Sequence, residues 1–239
     1  MTVEFPDRVL VTGTDTGVGK TLVVAGLVAW LRRAGVNACG WKPVESGTLE
    51  TGAPADAQLL HAANGGTEDE ELPVVYALPE PLAPVVAARL NNVALVPAVL
   101  DVSLNAVSAG RASVVVEGVG GALVEVAEGL MVADLPTRWG VPVIVVAANR
   151  LGMLSHTLLT LEALLLRGAT VLGVVVNTVH GDPPSLAEAG NVAELRRLMP
   201  RGVPLLGEVG FLEPPHQRDP EALADALAEV ASALTGGAG

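Results

Sequence analysis

The stretch that most constrains this chain is Val11-Thr12-Gly13-Thr14-Asp15-Thr16-Gly17-Val18-Gly19-Lys20-Thr21. It follows the apolar run Arg8-Val9-Leu10-Val11 and opens an amphipathic run from Leu22 to Leu31. A strand, a glycine-containing loop ending in Gly-Lys-Thr, and a helix form the context a phosphate-binding loop requires. In such a loop the backbone N–H groups, here those of Gly17, Val18 and Gly19, face the phosphates together with the helix N-terminus. Lys20 stands where a lysine reaches the β and γ oxygens, and Thr21 where a hydroxyl ligates Mg²⁺. The strict spacing G-x-x-x-x-G-K-S/T is missed by one position, because Thr14 replaces its first glycine and Gly13 comes one residue early. The stretch is read as a nucleoside triphosphate site.

Around it the chain alternates. Val36 to Lys42, Val114 to Val116, Val143 to Ala147 and Val171 to Val176 are short apolar runs, the last three β-branched on both faces as central parallel strands are. Helical patterns run over Pro54 to Ala63, Val85 to Leu90, Pro97 to Ala109, Met131 to Trp139, Ser155 to Arg167, Leu186 to Met199 and Glu221 to Leu234. Thr48 to Ala53 reads as a loop, and Pro73 to Pro84 is too proline-rich for more than a short strand at Val74 to Tyr76. This alternation predicts an α/β fold, a mostly parallel doubly wound sheet with helices on both faces, of the phosphate-loop NTPase type. The 239 residues suit one domain over 1–239, with a glycine-rich frayed tail from Thr235.

Such sheets bind ligands beyond the carboxyl ends of their strands. Lys42 and Ser46 are expected after the second strand, Glu117-Gly118-Val119-Gly120-Gly121 after the third run, then Asn149 to Ser155, and Asn177 at the end of the last run. Glu117 stands where an acid holds nucleotide-bound Mg²⁺. Asp56 falls in a first helical turn, which the helix dipole alone also favours. Lys42 brings a second cation beside Lys20, as phosphoryl transfer by positioning and charge stabilisation requires. Asn177 offers a carboxamide that both donates and accepts, suited to a base or to a turn, and Ser46-Gly47 suits a substrate contact or a turn. No transition-metal spacing and no Ser-His-Asp set are present.

Net charge excludes one class of partner. At −12, with no Lys/Arg cluster or aromatic series, the chain is expected to bind no nucleic acid. The apolar runs are too short and interrupted to span a membrane, and no secretory signal is read at the N-terminus. The single cysteine, Cys39, fits a reducing compartment, so a cytoplasmic protein is expected.

Gly13 to Thr21, Lys42-Pro43-Val44-Glu45-Ser46-Gly47, Val116 to Gly121, Leu151-Gly152-Met153-Leu154-Ser155-His156 and Leu205-Leu206-Gly207-Glu208 together resemble the dethiobiotin synthetase family, in order along nearly the whole chain. The resemblance implies an ATP- and Mg²⁺-dependent ligase of biotin synthesis, usually a homodimer, that carbamates 7,8-diaminononanoate with CO₂, phosphorylates the carbamate and closes a ureido ring. Lys20, Lys42 and Thr16 match positions around the transferred phosphoryl group, and Ser46 a substrate contact. Thr21, Asp56 and Glu117 match metal and nucleotide positions, with Gly118 and Gly120 beside them. Gly152, Met153, Leu154 and Ser155 match the segment that holds the substrate carboxylate across the dimer interface. Asn177 with Gly210, Phe211 and Leu212 matches the adenine pocket. Gly17, Val119, Ser155 and Gly210 depart from residues common there.

Two other classes share parts of this pattern. Partition and placement ATPases have the deviant loop but carry a lysine where Asp15 stands, and the synthetase part of cobyrinate amidases comes with a glutaminase cysteine that this chain lacks.

Overall fold

The computed structural model describes residues 3–67 and 69–236, so the end of the expected tail, 237–239, lies outside the described residues. The chain forms β1 (Arg8–Gly13), α1 (Lys20–Arg33), β2 (Ala38–Ser46), α2 (Thr48–Thr51), α3 (Ala55–Ala63), β3 (Val74–Leu78), α4 (Pro84–Leu90) and α5 (Pro97–Ser108). It continues through β4 (Ser113–Glu117), the small hairpin β5 (Glu125–Ala127) and β6 (Leu130–Met131), α6 (Leu135–Trp139), β7 (Val143–Ala148) and α7 (Met153–Leu166). The last elements are β8 (Val171–Asn177), α8 (Leu186–Leu198), β9 (Leu205–Val209), α9 (Pro220–Ala226) and α10 (Ala228–Leu234).

Seven strands form one sheet in the order β3-β2-β4-β1-β7-β8-β9, and every pairing in it is parallel. The order reverses at β1. The chain builds outward on one side of β1 as far as β3, returns to β4, and then adds β7, β8 and β9 on the other side. Binding sites form at such switch points, beyond the strand ends.

Alternating residues of each strand feed two cores. Val9, Val11, Val115, Ile144, Val146 and Val175 pack with Val23, Val24 and Leu27 of α1, Leu60 of α3 and Leu223 and Leu227 at α9. Leu10, Val114, Val116, Val143, Val145 and Val174 point the other way, toward Leu100 and Leu104 of α5 and Leu161 and Leu164 of α7. Two-sided burial explains why these strands read as unbroken β-branched runs.

Several boundaries differ from expectation. Lys42 and Ser46 lie inside β2, which continues through Pro43. The Lys42 N–H donates to Pro73 O toward β3 at 2.9 Å, so the missing N–H of Pro43 faces the opposite side, where pairing with β4 ends at Trp41↔Val116. No ladder bond is lost there. Thr48–Thr51 is a short helix, not a loop, started at Gly47 in the left-handed region with φ 91°. The expected helix from Met131 to Trp139 is instead the end of the β5–β6 hairpin, a 3₁₀ turn over Val132–Asp134 and then α6, because Pro136 can enter only in a first turn. The expected helix from Glu221 to Leu234 is broken at Leu227 into α9 and α10. Strand β9 was not among the expected strands. Among the described residues, no helix is long and apolar enough to cross a membrane.

Candidate active site

The phosphate loop follows β1 directly. Its early glycine has a packing cause: a Cβ on Gly13 would lie 2.6 Å from Val18 Cγ2 and 3.1 Å from the Asp15 carbonyl. Gly17 and Gly19 have φ of 73° and 94°, a region that glycine enters without steric cost. Lys20 Nζ curls back to donate to Asp15 O at 3.0 Å. The Asp15 carboxylate accepts from the Thr16 N–H at 2.8 Å and from Arg150 at 2.7 Å, tying the loop to the end of β7.

Beside the loop, neighbouring strands deliver a lysine and an acid. Because Trp41 pairs with Val116, the next residues, Lys42 and Glu117, are adjacent at the sheet edge. Lys42 Nζ donates to Glu117 Oε1 at 2.8 Å and also pairs with Asp56 in the first turn of α3. The Thr21 hydroxyl donates to that same Glu117 oxygen at 2.8 Å. Glu117 is 1% exposed, and its other oxygen, Oε2, is buried with no protein partner.

Burial shapes the charges. It lowers the Lys20 pKa to about 8, with Lys42 adding repulsion and Glu117 opposing it. Lys42 is equally buried, yet the Glu117 and Asp56 carboxylates outweigh desolvation and hold it above the ordinary lysine value. Burial raises the Glu117 pKa although Lys42 pulls it down. The two lysines thus differ in readiness to give up a proton.

The Thr21 hydroxyl, the unpartnered Glu117 oxygen and the Asp56 carboxylate are hard oxygen donors. They fit Mg²⁺, which takes one or two carboxylates and completes its shell with water and phosphate oxygens. Among the described residues, no group of three His, Cys, Asp or Glu could hold a metal by itself.

A cavity of about 1100 Å³ opens over this cluster. Thr16, Gly17, Gly19, Lys20, Thr21, Lys42, Ser46, Asp56, Glu117 and Gly120 all line it. Gly118 lies behind them, its N–H donating to Val11 O at 2.9 Å and its Cα so close to Val132 that a Cβ would sit 3.0 Å from Cγ1. Val18 is fully buried, with its carbonyl accepting from Asn177 Nδ2 at 3.0 Å. Asn177 and Gly210 to Leu212 sit together at the ends of β8 and β9, where Asn177 pairs with Val209. Gly152 to Ser155 form the start of α7, led by Gly152 at φ 93°, and do not line the cavity.

Three contributors escaped the sequence reading. Glu45, buried in β2, accepts from the backbone N–H groups of Asp56 and Ala57. Arg150 holds Asp15. Arg218, on the segment before α9, brings a further cation to the cavity wall. Glu45 stood inside a quoted motif, and its charge within an apolar strand was the available signal. Arg150 and Arg218 depend on contacts between distant segments and left none.

The fold and the loop define a phosphate-loop nucleotide-binding protein, and a family model described as an AAA domain matches residues 7–217. An ATP-dependent dethiobiotin synthetase of Anaeromyxobacter dehalogenans (strain 2CP-C) is 45% identical over 192 residues, covering 80% of this chain and 85% of that protein. One of Novosphingobium aromaticivorans is 41% identical over 224 residues, covering 92% and 94%. The chain belongs to the ATP-dependent dethiobiotin synthetase family. By structure it is similar to the cell division ATPase MinD of Pyrococcus furiosus, with a TM-score of 0.53 at 19% identity over 96% of this chain and 98% of that one. The signal recognition particle receptor FtsY of Elizabethkingia anophelis gives 0.51 at 17% over 92% and 65%. At such identities these two share the fold alone.

Proposed function

We propose that this chain is an enzyme that makes dethiobiotin from 7,8-diaminononanoate, CO₂ and ATP in biotin synthesis. Family membership supports the reaction, and one observation carries its assignment to this site. Lys20, Lys42 and the Thr21–Glu117 pair meet at the head of one cavity, at the switch point of the sheet.

In this reading one amine of the diamine adds to CO₂, loses a proton and becomes a carbamate. A carbamate oxygen attacks the γ-phosphorus while the bond to the β-phosphate oxygen breaks, giving ADP and a carbamic–phosphoric anhydride. The neighbouring amine then attacks the carbonyl carbon, loses a proton and expels phosphate, closing the cyclic urea. Lys20 and Lys42 stabilise the charge on the transferred group, and Thr16 adds a hydroxyl there, its N–H being held by the Asp15 carboxylate. The amides of Gly17, Val18 and Gly19 hold the phosphates. Thr21, Asp56 and Glu117 would hold Mg²⁺, which would supply positive charge to offset that of the triphosphate.

Ser46, on the cavity wall, contacts the substrate. Asn177, Gly210, Phe211 and Leu212 form the base pocket, with Gly118 and Gly120 shaping the nucleotide side. A homodimer brings the α7 N-terminal turn, Gly152 to Ser155, to the substrate carboxylate of the neighbouring subunit, where a helix N-terminus suits an anion. Leu159 and Leu166, seven residues apart on α7 and exposed, support an apolar contact on that helix. The reaction belongs in the cytoplasm, a setting in which the buried thiol of Cys39 stays reduced.

Phosphate release from ATP, Mg²⁺ and bicarbonate, with and without the diamine, tests the reading. Release that requires the diamine is expected. Equal release without it would contradict the proposal and favour a nucleotide switch.

A further inference from the structure

Helix α3 begins without a cap of its own. Its N-cap is Pro54, which offers no side-chain acceptor, yet the turn that follows carries Asp56. The acceptor comes instead from β2. Glu45 Oε1 accepts from the Asp56 N–H at 3.0 Å, and Glu45 Oε2 from the Ala57 N–H at 2.9 Å. The residue is 5% exposed, so a carboxylate has been taken out of water to make these two bonds.

Its place in the chain gives the pairing a meaning beyond helix capping. Glu45 and Lys42 are three residues apart on one strand, and Asp56 is both the residue whose N–H Glu45 grips and the residue whose carboxylate meets Lys42. The backbone of Asp56 is therefore fixed from the same strand that presents the lysine. Burial raises the Glu45 pKa, and the two backbone N–H groups, at the positive end of the helix dipole, oppose it.

We infer that Glu45 is a positioning residue that holds the first turn of α3 on β2, so that the Asp56 carboxylate is aimed at the metal position beside Glu117. This rests on the proposed metal role of Asp56. Glu45 itself touches neither the nucleotide nor the reacting atoms. Groups of this kind, which orient a ligand without binding the metal, typically change metal affinity by about 10–100-fold.

The test is the Mg²⁺ concentration that gives half-maximal ADP binding, read by calorimetry, for the native chain, Glu45→Ala, Glu45→Gln, Asp56→Ala and the Glu45→Ala/Asp56→Ala pair. Glu45→Ala should raise that concentration by about tenfold. Glu45→Gln keeps one acceptor oxygen and should fall between, and it carries the test alone if Glu45→Ala does not fold. In the Asp56→Ala background, removing Glu45 should add less than about a twofold change, because residues acting through one another are not additive. A rise in Asp56→Ala with none in the Glu45 variants would overturn the positioning role while leaving the metal role standing. Full additivity in the double variant would overturn it too. No rise in Asp56→Ala would overturn the metal role on which the inference depends.

Discussion

Lys42 and Thr21 donate to one and the same oxygen, Glu117 Oε1, each at 2.8 Å. One buried carboxylate atom thus joins the phosphate loop to the second strand, and its twin Oε2 is left without a protein partner. Lys42 compensates a charge that would otherwise stand alone in the interior. The same lysine is the proposed stabiliser of the transferred phosphoryl group, so its removal has two separable consequences.

Lys42→Ala should lower turnover by about 10²–10³-fold if the lysine stabilises transition-state charge. Near-normal turnover in the purified variant would remove it from the chemistry. It should also destabilise the metal-free protein by about 3–5 kcal/mol, since breaking a buried pair leaves one charge uncompensated. Thermal unfolding with and without Mg²⁺ checks this, with the cation expected to restore part of the loss.

Glu117→Gln retains an oxygen for the Thr21 hydroxyl but gives up a negative charge. The Mg²⁺ requirement of phosphate release should rise by at least about tenfold, as expected when a hard cation loses a carboxylate. Asp56→Asn should act in the same direction. A metal titration that matches the native enzyme would count against both as ligands.

Much of this site could be read along the chain, and the rest needed three dimensions. The loop, Lys42 and Glu117 announce themselves because each lies at the end of an apolar run or in a fixed spacing. The early glycine could be noticed but not explained, because its cause is the Val18 side chain folding back over Gly13. Lys42 was expected after its strand, whereas β2 continues through Pro43 because the side lacking an N–H faces the place where β4 has ended. The β5–β6 hairpin was missed because its strands are too short to show alternation. The Asp15–Arg150 pair joins residues 135 positions apart and has no local signature.

Lys20 gives a pH dependence with a definite sign. Burial holds its pKa at about 8, below the ordinary 10.5, so between those values the unfolded chain binds a proton that the native chain does not. Its contribution to stability therefore rises with pH from about 8 toward 10.5, and the cost of burying the charge is fully present below 8. Phosphates favour the charged form, so nucleotide binding above pH 8 should take up a proton and weaken as pH rises. Calorimetry in buffers of different ionisation enthalpy measures that uptake, and Lys20→Arg should abolish it.

Gly19→Ala should cripple nucleotide binding, because the new Cβ would lie 2.1 Å from Asn177 Nδ2 at a φ of 94°. Gly17→Ala meets no atom within 4 Å and should cost only about 1–2 kcal/mol from its left-handed backbone. Equal nucleotide affinities in the two variants would contradict this account of the loop.

In the proposed reaction the phosphoryl group of ATP activates a carbamate made from CO₂. Incubation with ¹³C-bicarbonate, ATP, Mg²⁺ and 7,8-diaminononanoate, followed by mass spectrometry and phosphate assay, addresses it directly. Dethiobiotin labelled at its ureido carbon is expected, with one phosphate released for each molecule formed. Phosphate released without a labelled ureido product would contradict it.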